Sequence, residues 1–373
     1  MKMIGFVLFS CIVIGSTVSA QTAATFQAGG VRYSVDLFTE ANYPVALAFA
    51  PDGRLFYTEK NTGNLRVVSA DGVVQPDPVI TLASSALAER GMLGVALDPA
   101  YSDNGLIWVM HTAEGTARDY PANNIVRFTE RDGIGSDPEI MLSVPIVSGG
   151  LIHNGGNLHF DAEGLLYVTL GDYEDAANSQ DLTTLPGKIH RFVVTDEGLA
   201  PAPENPFEGS SIYAYGLRNA WDFTFDTRST YIFATENGLH CDDEINLILR
   251  GLQYGAGADY ECGSTSPDSN PSKFVPPLLS FTPTQAPTGI TIYDHDAAPE
   301  WGGKLFFCAW NDGYPLRLIT LNEARNQVAS VEDVPLPDGV QCRIDIEVSP
   351  AGALYFSTVG EQGGAIYRIT PLG

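Results

Sequence analysis

The chain has 373 residues, of which 44% are hydrophobic and 10% aromatic, and it contains 38 glycines and 24 prolines. This composition excludes an intrinsically disordered protein and provides enough apolar residues for a large core. The 45 acidic and 20 basic residues give a net charge of −25, and a surface so acidic would repel nucleic acid and anionic lipid.

The first twenty residues are typical of a secretory signal peptide. Lys2 supplies the short positive region, Ile4–Ile14 the apolar segment, and Val18–Ala20 a small-residue cleavage site. The apolar segment is short for a membrane anchor, and no later segment approaches a spanning length. We therefore expect residues 1–20 to be a signal peptide and the mature chain, residues 21–373, to be secreted or periplasmic.

Four cysteines remain after the signal peptide: Cys241, Cys262, Cys308 and Cys342. An even number of cysteines in an exported chain indicates two disulfides. Three pairings are possible, and we favour the most local one, Cys241–Cys262 with Cys308–Cys342.

The mature chain repeats one pattern, in which an apolar strand, a turn rich in Asp, Gly and Pro, and a second apolar or aromatic strand follow one another. The six occurrences are Val45–Tyr57, Leu93–Met110, Leu158–Leu170, Trp221–Ala234, Gly289–Ala309 and Ile344–Thr358. Short strands that repeat every 45 to 65 residues or so, without long helical periodicity, indicate a β-propeller. The sequence therefore predicts an all-β fold, a six-bladed β-propeller.

The last of these units has room for only about three strands before the chain ends. The segment Thr25–Phe38 alternates apolar and polar residues and could supply the fourth strand. Such pairing closes the ring and removes exposed sheet edges. We therefore expect residues 21–373 to form a single domain that is closed by an N-terminal strand.

The stretch His153–Asp172 combines a predicted hairpin with two groups that can carry out acid–base chemistry. Leu158 and Phe160 alternate with polar residues, a turn follows, and the apolar run Leu166–Leu170 returns. An antiparallel hairpin brings its two ends together, so we expect the His153 imidazole to lie beside the Asp172 carboxylate. A carboxylate in that position orients the ring and raises its basicity. We expect Gly155 and Gly156, which follow the histidine, to leave room for a flat ligand to approach the backbone.

Residues 236–246 form the strongest candidate for a metal site. Glu236, Asp242, Asp243 and Glu244 lie within nine residues, and Gly238 permits a turn among them. Hard oxygen ligands at this density suit calcium.

Five stretches together resemble the glucose/sorbosone dehydrogenases, a family of soluble six-bladed propellers that use pyrroloquinoline quinone (PQQ) and calcium. The stretches are Glu89–Pro99, His153–Asp172, Pro186–Arg191, Tyr215–Asn219 and Glu236–Asn246. The resemblance covers nearly the whole mature chain, and the combination is specific although each stretch alone is weak.

The resemblance implies that His153 is the general base, which removes the proton from the anomeric hydroxyl of a sugar while hydride passes to the quinone. It implies that Asp172 supports this base. It also implies that Arg218 and Asn219 contact the cofactor, together with Glu89, which stands where some members carry Gln. A cation beside the quinone stabilises the negative charge that develops on it.

The resemblance also implies two calcium ions. The carbonyls of Gly238 and Leu239 would hold the ion that contacts the cofactor. Glu244 and the carbonyl of Tyr254 would bind a second, structural ion.

The chain departs from the family where positive charge is expected. Two arginines that the family directs into the channel are replaced by Cys342 and Ile344. Arg343 lies between them, so strand alternation sends it to the opposite face unless a bulge intervenes. The family's lysine in blade five has no clear counterpart near Trp310–Asp312. Because PQQ carries three carboxylates, these losses predict PQQ binding that is weak and strictly calcium-dependent.

Three functions follow from these observations. The first is an exported aldose dehydrogenase that passes electrons from PQQ to an external acceptor. The second is a calcium-dependent propeller hydrolase, such as a lactonase, which accounts for the missing arginines but not for the pairing of His153 with Asp172. The third is a non-catalytic propeller that binds carbohydrate or protein.

Overall fold

The computed structural model describes residues 24–116, 118–238, 241–257, 274–360 and 363–372. The predicted signal peptide, Leu239 and Cys262 lie outside these residues, so the expectations for them stay predictions. None of the helices in the described residues is long and apolar enough to cross a membrane.

Within the described residues the strands form six antiparallel sheets, which are the blades of a propeller. The N-terminal hairpin consists of β1 (Ala24–Ala28) and β2 (Val31–Ala41). Blade 1 contains β3 (Pro44–Phe49), β4 (Leu55–Glu59), β5 (Asn64–Val68) and β6 (Ile80–Thr81). Blade 2 contains β7 (Met92–Leu97), β8 (Leu106–Ala113), β9 (Ala122–Arg131) and β10 (Ile134–Pro145), with the short helix α1 (Tyr101–Asn104) after β7.

Blade 3 contains β11 (Leu158–Phe160), β12 (Leu166–Leu170), β13 (Lys188–Thr195) and β14 (Gly198–Pro201), with the short helix α2 (Ala177–Gln180) after β12. A further strand, β15 (Ile212–Tyr215), also pairs with β13. Blade 4 contains β16 (Ala220–Phe225), β17 (Ile232–Glu236), β18 (Asp243–Ile248) and β19 (Leu279–Phe281).

Blade 5 contains β20 (Pro287–Tyr293), β21 (Lys304–Ala309), β22 (Leu316–Leu321) and β23 (Val328–Val334), with a 3₁₀ turn at Pro299–Trp301. Blade 6 contains β24 (Ile346–Val348), β25 (Leu354–Gly360) and β26 (Gly363–Leu372). The six strand–turn–strand units seen in the sequence correspond to the first two strands of the six blades, so the predicted fold is confirmed.

The ring closes as predicted. Strand β2 pairs antiparallel with β26, with Val35 opposite Ile369, and β1 adds a further strand outside it. The N-terminal hairpin therefore completes the last blade, so that the edge of β26 is paired and not exposed.

Apolar residues fill the spaces between neighbouring blades. Between blades 2 and 3, for example, Trp108 and Met110 pack in one buried cluster with Leu158 and Val168. All five residues of β12 are buried, which explains why this strand is an almost continuous apolar run instead of alternating with polar residues.

The first strand of each blade lies at the central channel. Strand β3 contacts β7, β7 contacts β11, β16 contacts β20, β20 contacts β24, and β24 contacts β3. Because every blade repeats the same strand order, the residues that precede these strands meet at one end of the channel. The residues at the ends of the same strands meet at the other.

The predicted disulfide Cys308–Cys342 is present, with its Cα atoms 5.0 Å apart. It ties β21 of blade 5 to the segment that leads into β24 of blade 6. The other predicted pair includes Cys262, which lies outside the described residues, and stays a prediction.

Candidate active site

The hairpin of β11 and β12 places His153 beside Asp172, as the sequence predicts. Leu158 pairs with Val168 in the antiparallel register, and the two ends of the hairpin meet beyond it. His153 Nδ1 lies 2.7 Å from Asp172 Oδ1, and both residues are buried. The carboxylate therefore holds the proton on Nδ1, which leaves the lone pair of the neutral ring on Nε2.

The Nε2 atom of His153 is buried and has no hydrogen-bond partner among the described residues. His153 lines a cavity of about 560 Å³, which we call the site cavity, together with Asp172, Arg218, Glu236 and Glu244. An imidazole that lines a cavity, with one nitrogen held by a carboxylate and the other without a partner among the described residues, is suited to accept a proton from a bound molecule.

The backbone of His153 has a φ of 59°, in the left-handed region that non-glycine residues seldom adopt. Its amide donates to Glu89 Oε2 at 2.7 Å, and its carbonyl accepts from the Tyr173 amide at 3.2 Å. These contacts hold the uncommon conformation, which is a feature that often accompanies functional sites.

The glycines after His153 serve a different purpose from the one expected. A Cβ atom on Gly155 would lie 2.8 Å from the Gly171 amide nitrogen and 2.9 Å from the Thr169 carbonyl oxygen. Gly156 faces the side chain of Leu93 in the same way. The interpretation that they leave room for a flat ligand was wrong, because the space beside each is filled by the protein.

Two of the predicted cofactor residues, Glu89 and Asn219, hydrogen-bond to the backbone of the His153 loop. Glu89 Oε2 also accepts from Asn219 Nδ2 at 3.4 Å, and Asn219 Oδ1 accepts from the Gly155 amide at 3.0 Å. Burial raises the pKa of Glu89, and the neighbouring His153 opposes that rise. Glu89 and Asn219 thus connect the His153 loop to the start of blade 4.

Arg218 lines the site cavity at the start of blade 4. One nitrogen of its guanidinium donates to the carbonyls of Asn237 and Gly238, at 2.8 Å each. Its backbone amide donates to Glu236 Oε1 at 2.7 Å, while Glu236 Oε2 is buried and has no partner among the described residues. Burial and the nearby Glu244 raise the pKa of Glu236 to about 8.

The predicted metal ligands that the structure describes share one wall of the site cavity. Gly238, Glu244 and Tyr254 all line it, and Glu244 lies opposite Glu236 in the pairing of β17 with β18. Oxygen donors of this type suit a hard cation. The Gly238 carbonyl, however, is engaged by Arg218, and the described residues contain no cluster of three or more His, Cys, Asp or Glu arranged to hold a metal.

A second cavity of about 350 Å³, the adjoining cavity, lies next to the site cavity and shares Ile152 with it. Tyr43, Lys60, Trp310 and Ile344 are among the residues that line it. Ile344 thus faces the channel at an expected arginine position. Cys342, at the other such position, is buried in the disulfide with Cys308.

Arg343 lies beside Trp310, one of the residues that line this cavity, in the segment that precedes β24. The amides of Arg343 and Ile344 both donate to the Ser357 carbonyl, at 3.0 and 3.4 Å, as two residues opposite one do in a β-bulge. The Arg343 guanidinium lies 5.7 Å from the Trp310 ring centre and forms an ion pair with Asp312. Strict alternation does not describe this segment, whose hydrogen bonds resemble those of the bulge considered as an alternative, and Arg343 itself lines neither the site cavity nor the adjoining cavity.

Lys60 is the site residue that the sequence did not indicate. It directly follows β4, all of whose residues are buried, and is itself only 7% exposed. A lysine at the end of a continuous buried strand was the available signal. It was not informative alone, because lysines commonly end strands at the surface.

The chain is similar in sequence and in fold to sugar dehydrogenases. The chain is 28% identical to the aldose sugar dehydrogenase YliI of Escherichia coli (strain K12) over 348 residues, 88% of this chain and 90% of that protein. It is 28% identical to quinoprotein glucose dehydrogenase B of Acinetobacter calcoaceticus over 249 residues, 59% of this chain and 51% of that protein. The PQQ-bound structure of aldose sugar dehydrogenase from Streptomyces coelicolor superposes with a TM-score of 0.74 at 26% identity, covering 91% of this chain and 98% of that one.

The sequence model of the glucose/sorbosone dehydrogenases matches residues 41–368, which runs from the end of β2 into β26 and so includes the first strands of all six blades. The match also includes the His153 hairpin, the Arg218 segment and the acidic wall of the site cavity. The chain belongs to the glucose/sorbosone dehydrogenase family.

Proposed function

We propose that this protein is an exported PQQ-dependent aldose dehydrogenase in which His153 is the general base. The observation that carries the proposal is the His153 imidazole, which lines the site cavity, is fixed through Nδ1 by Asp172, and has an Nε2 atom without a partner among the described residues. The sugar and quinoprotein dehydrogenases among its relatives support the same assignment.

The proton transfer follows from the geometry of this pair. The anomeric hydroxyl of an aldose donates to Nε2 and loses its proton there as hydride leaves the anomeric carbon, since the hydroxyl must be deprotonated for the carbonyl product to form. The Asp172 carboxylate stabilises the imidazolium that results. Glu89 holds the backbone amide of His153, so that the ring stays in position during the transfer.

The residues around the site cavity fit an anionic, planar cofactor in part. Arg218, Asn219 and Glu89 would hold PQQ, which would supply a two-electron acceptor for the hydride that leaves the sugar. Arg218 places a cation at the cavity wall, and Asn219 and Glu89 lie beside it. Positive charge at this wall stabilises negative charge that develops during the reaction.

Two calcium ions would be held on the oxygen-rich side of the same cavity. The carbonyls of Gly238 and Leu239 would hold the ion that supplies positive charge close to the cofactor, and Glu244 with the Tyr254 carbonyl would hold a second, structural ion. Glu236 contributes a further carboxylate oxygen without a partner among the described residues. The Arg218 guanidinium would have to release the Gly238 carbonyl for that oxygen to bind an ion.

The test is reconstitution of the purified protein. Apo-protein is incubated with PQQ and calcium, with each alone, and with a chelator, and dye reduction is then followed with a panel of aldoses. We expect sugar-dependent dye reduction that requires both PQQ and calcium. A second assay follows the hydrolysis of sugar lactones without PQQ.

The two alternative functions predict different results in these assays. Lactone hydrolysis that needs calcium but not PQQ would contradict the proposal and support a hydrolase. The absence of both activities, together with carbohydrate binding measured by calorimetry, would support a non-catalytic propeller instead.

A further inference from the structure

A buried lysine lines the adjoining cavity without a counter-ion. Lys60 is 7% exposed, and its Nζ donates to Asn61 Oδ1 at 2.9 Å and to the Ala86 carbonyl at 3.3 Å. Both acceptors are neutral, and no carboxylate of the described residues forms an ion pair with Lys60. Since an ammonium group has three donors, one N–H is left for another acceptor.

The acid whose charge acts on Lys60 is Glu89, and one of its oxygens is already hydrogen-bonded to the His153 loop. The charge of Glu89 acts on Lys60, but the Oε2 atom of Glu89 accepts from the His153 amide at 2.7 Å. Burial lowers the pKa of Lys60, and Glu89 only opposes that change. A buried ammonium that lacks a paired anion is costly unless a ligand supplies the anion.

Lys60 belongs to a row of cations and aromatic rings along the wall of the adjoining cavity. Its Nζ lies 5.1 Å from the Tyr43 ring centre, and the Tyr43 and Trp310 rings are 6.4 Å apart. Arg343 stacks on the outer end of this row, over Trp310. The wall therefore combines positive charge with aromatic faces, as a site for a flat anionic molecule does.

The row lies on the side of the channel where positive charge was expected to be missing. Ile344 lines the same cavity and supplies none. We infer that Lys60 binds a carboxylate of the quinone cofactor and replaces part of the charge lost at Cys342 and Ile344, a role that rests on the proposed function.

The experiment measures PQQ affinity by calorimetry and by the absorbance of the quinone, in saturating calcium and without sugar. Three variants are compared with the wild type: Lys60→Met, Lys60→Arg and Lys304→Met. Lys304 begins β21 and lines neither cavity, so its replacement removes the same charge elsewhere. Circular dichroism and thermal unfolding establish that each variant is folded, and Lys60→Gln takes the place of Lys60→Met if the latter does not fold.

We expect Lys60→Met to weaken PQQ binding by about ten- to a hundredfold, the effect of one charge-assisted hydrogen bond. Lys60→Arg should retain most of the affinity, and Lys304→Met should bind as the wild type does. The trimethyl ester of PQQ, which lacks the carboxylate charges, should bind wild type and Lys60→Met equally.

Two results would overturn the inference. One is wild-type affinity for PQQ in folded Lys60→Met. The other is an equal loss of affinity for PQQ and for its trimethyl ester, which would indicate that the substitution reshapes the cavity. If the wild type itself binds no PQQ in saturating calcium, both the proposed function and the role of Lys60 are wrong, whereas binding that is unaffected by Lys60→Met rejects the role of Lys60 alone.

Discussion

Blade 3 contains two histidines that each contact an aspartate, and they have different surroundings. His153 precedes β11 and pairs with Asp172 at 2.7 Å, whereas His159 lies within β11 and pairs with Asp222 at 3.0 Å. His153 meets the site cavity at one end of the channel. His159 meets a cavity of about 400 Å³ at the other end, where the first strands of the blades finish; we call it the lower cavity.

The two carboxylates also have different neighbours. Asp222 accepts from Asn157 Nδ2 at 2.6 Å and from the Ile290 amide at 2.9 Å. Near it lie Asp345 and Glu347, whose pKa values are raised well above the usual carboxyl range by burial and then by neighbouring acidic charges. The lower cavity is thus acidic.

The site cavity is different because Arg218 brings a cation to its wall, and Lys60 brings another to the adjoining cavity. Carboxyl groups line both cavities, but among the described residues a cationic side chain lines the site cavity and none lines the lower cavity, so an anionic cofactor has a cationic partner only at the first end of the channel. A histidine–aspartate pair is therefore not sufficient to indicate catalysis, and the presence of a cation in the cavity that the ring lines distinguishes the two pairs.

Replacement of the two histidines gives the largest contrast. His153→Ala should lower sugar-dependent dye reduction by about a hundredfold or more, because the general base is lost. His159→Ala should keep activity close to that of the wild type, since this ring faces the lower cavity. The measurement is kcat in the reconstituted enzyme, with circular dichroism as the check on folding, and near-wild-type turnover of His153→Ala would refute the assignment of the base.

Replacement of the two aspartates should give a smaller contrast in the same direction. Asp172→Asn keeps the shape of the side chain, but its amide can also donate to Nδ1 and so favour the tautomer that cannot accept a proton at Nε2. We expect kcat to fall by about tenfold or more while the KM for the sugar changes little. Asp222→Asn should leave kcat near the wild-type value, and an equal fall in both variants would show that the pairs do not differ as described.

The smallest expected effect is on the pH dependence of stability. Asp345 and Glu347 have raised pKa values in the folded state, so the folded protein holds more protons than the unfolded chain above the ordinary carboxyl range. Their contribution to stability is therefore complete at low pH and is lost as the pH rises from about 4 toward the folded-state values. Asp222→Asn removes one of the repelling charges and should make this decline shallower.

Urea unfolding between about pH 4 and 8 in the presence of a chelator measures this slope. Asp172→Asn, at the other end of the channel, is the matched control and should leave the contribution of the lower acids unchanged. A slope that Asp222→Asn does not alter would mean that these three carboxyl groups are not coupled.

Much of the fold could be predicted because local sequence patterns indicate its strands and turns. Each blade begins with a strand–turn–strand unit whose apolar residues lie close together in sequence, and the unit Leu158–Leu170 folds as the expected hairpin. The pairing of His153 with Asp172 follows from that hairpin alone. The closing strand could also be predicted, because the alternation in Thr25–Phe38 and the shortage of strands in the last blade indicate the same pairing.

Contacts between blades could not be predicted from local patterns in the same way. The amides of Arg343 and Ile344 both donate to the carbonyl of Ser357 in β25, and strict alternation along the sequence gives no sign of this arrangement. The glycines after His153 face Leu93 of blade 2 and the end of β12, and not a ligand. The position of Lys60 against Tyr43 and Trp310 joins blades 1 and 5 across the channel mouth.

The sequence by itself determined the repeating strands, the ring closure, the histidine–aspartate hairpin and the acidic wall, because each arises from residues close in sequence or from a periodic pattern of burial. Only the tertiary structure decided which histidine–aspartate pair shares its cavity with a cationic side chain, Arg218, and which does not. It also placed Lys60, which follows β4 of blade 1, in the wall of the same cavity as Ile344. The physical reason is that electrostatic surroundings depend on distance in space, and a closed ring of blades brings together charges from residues far apart in the chain.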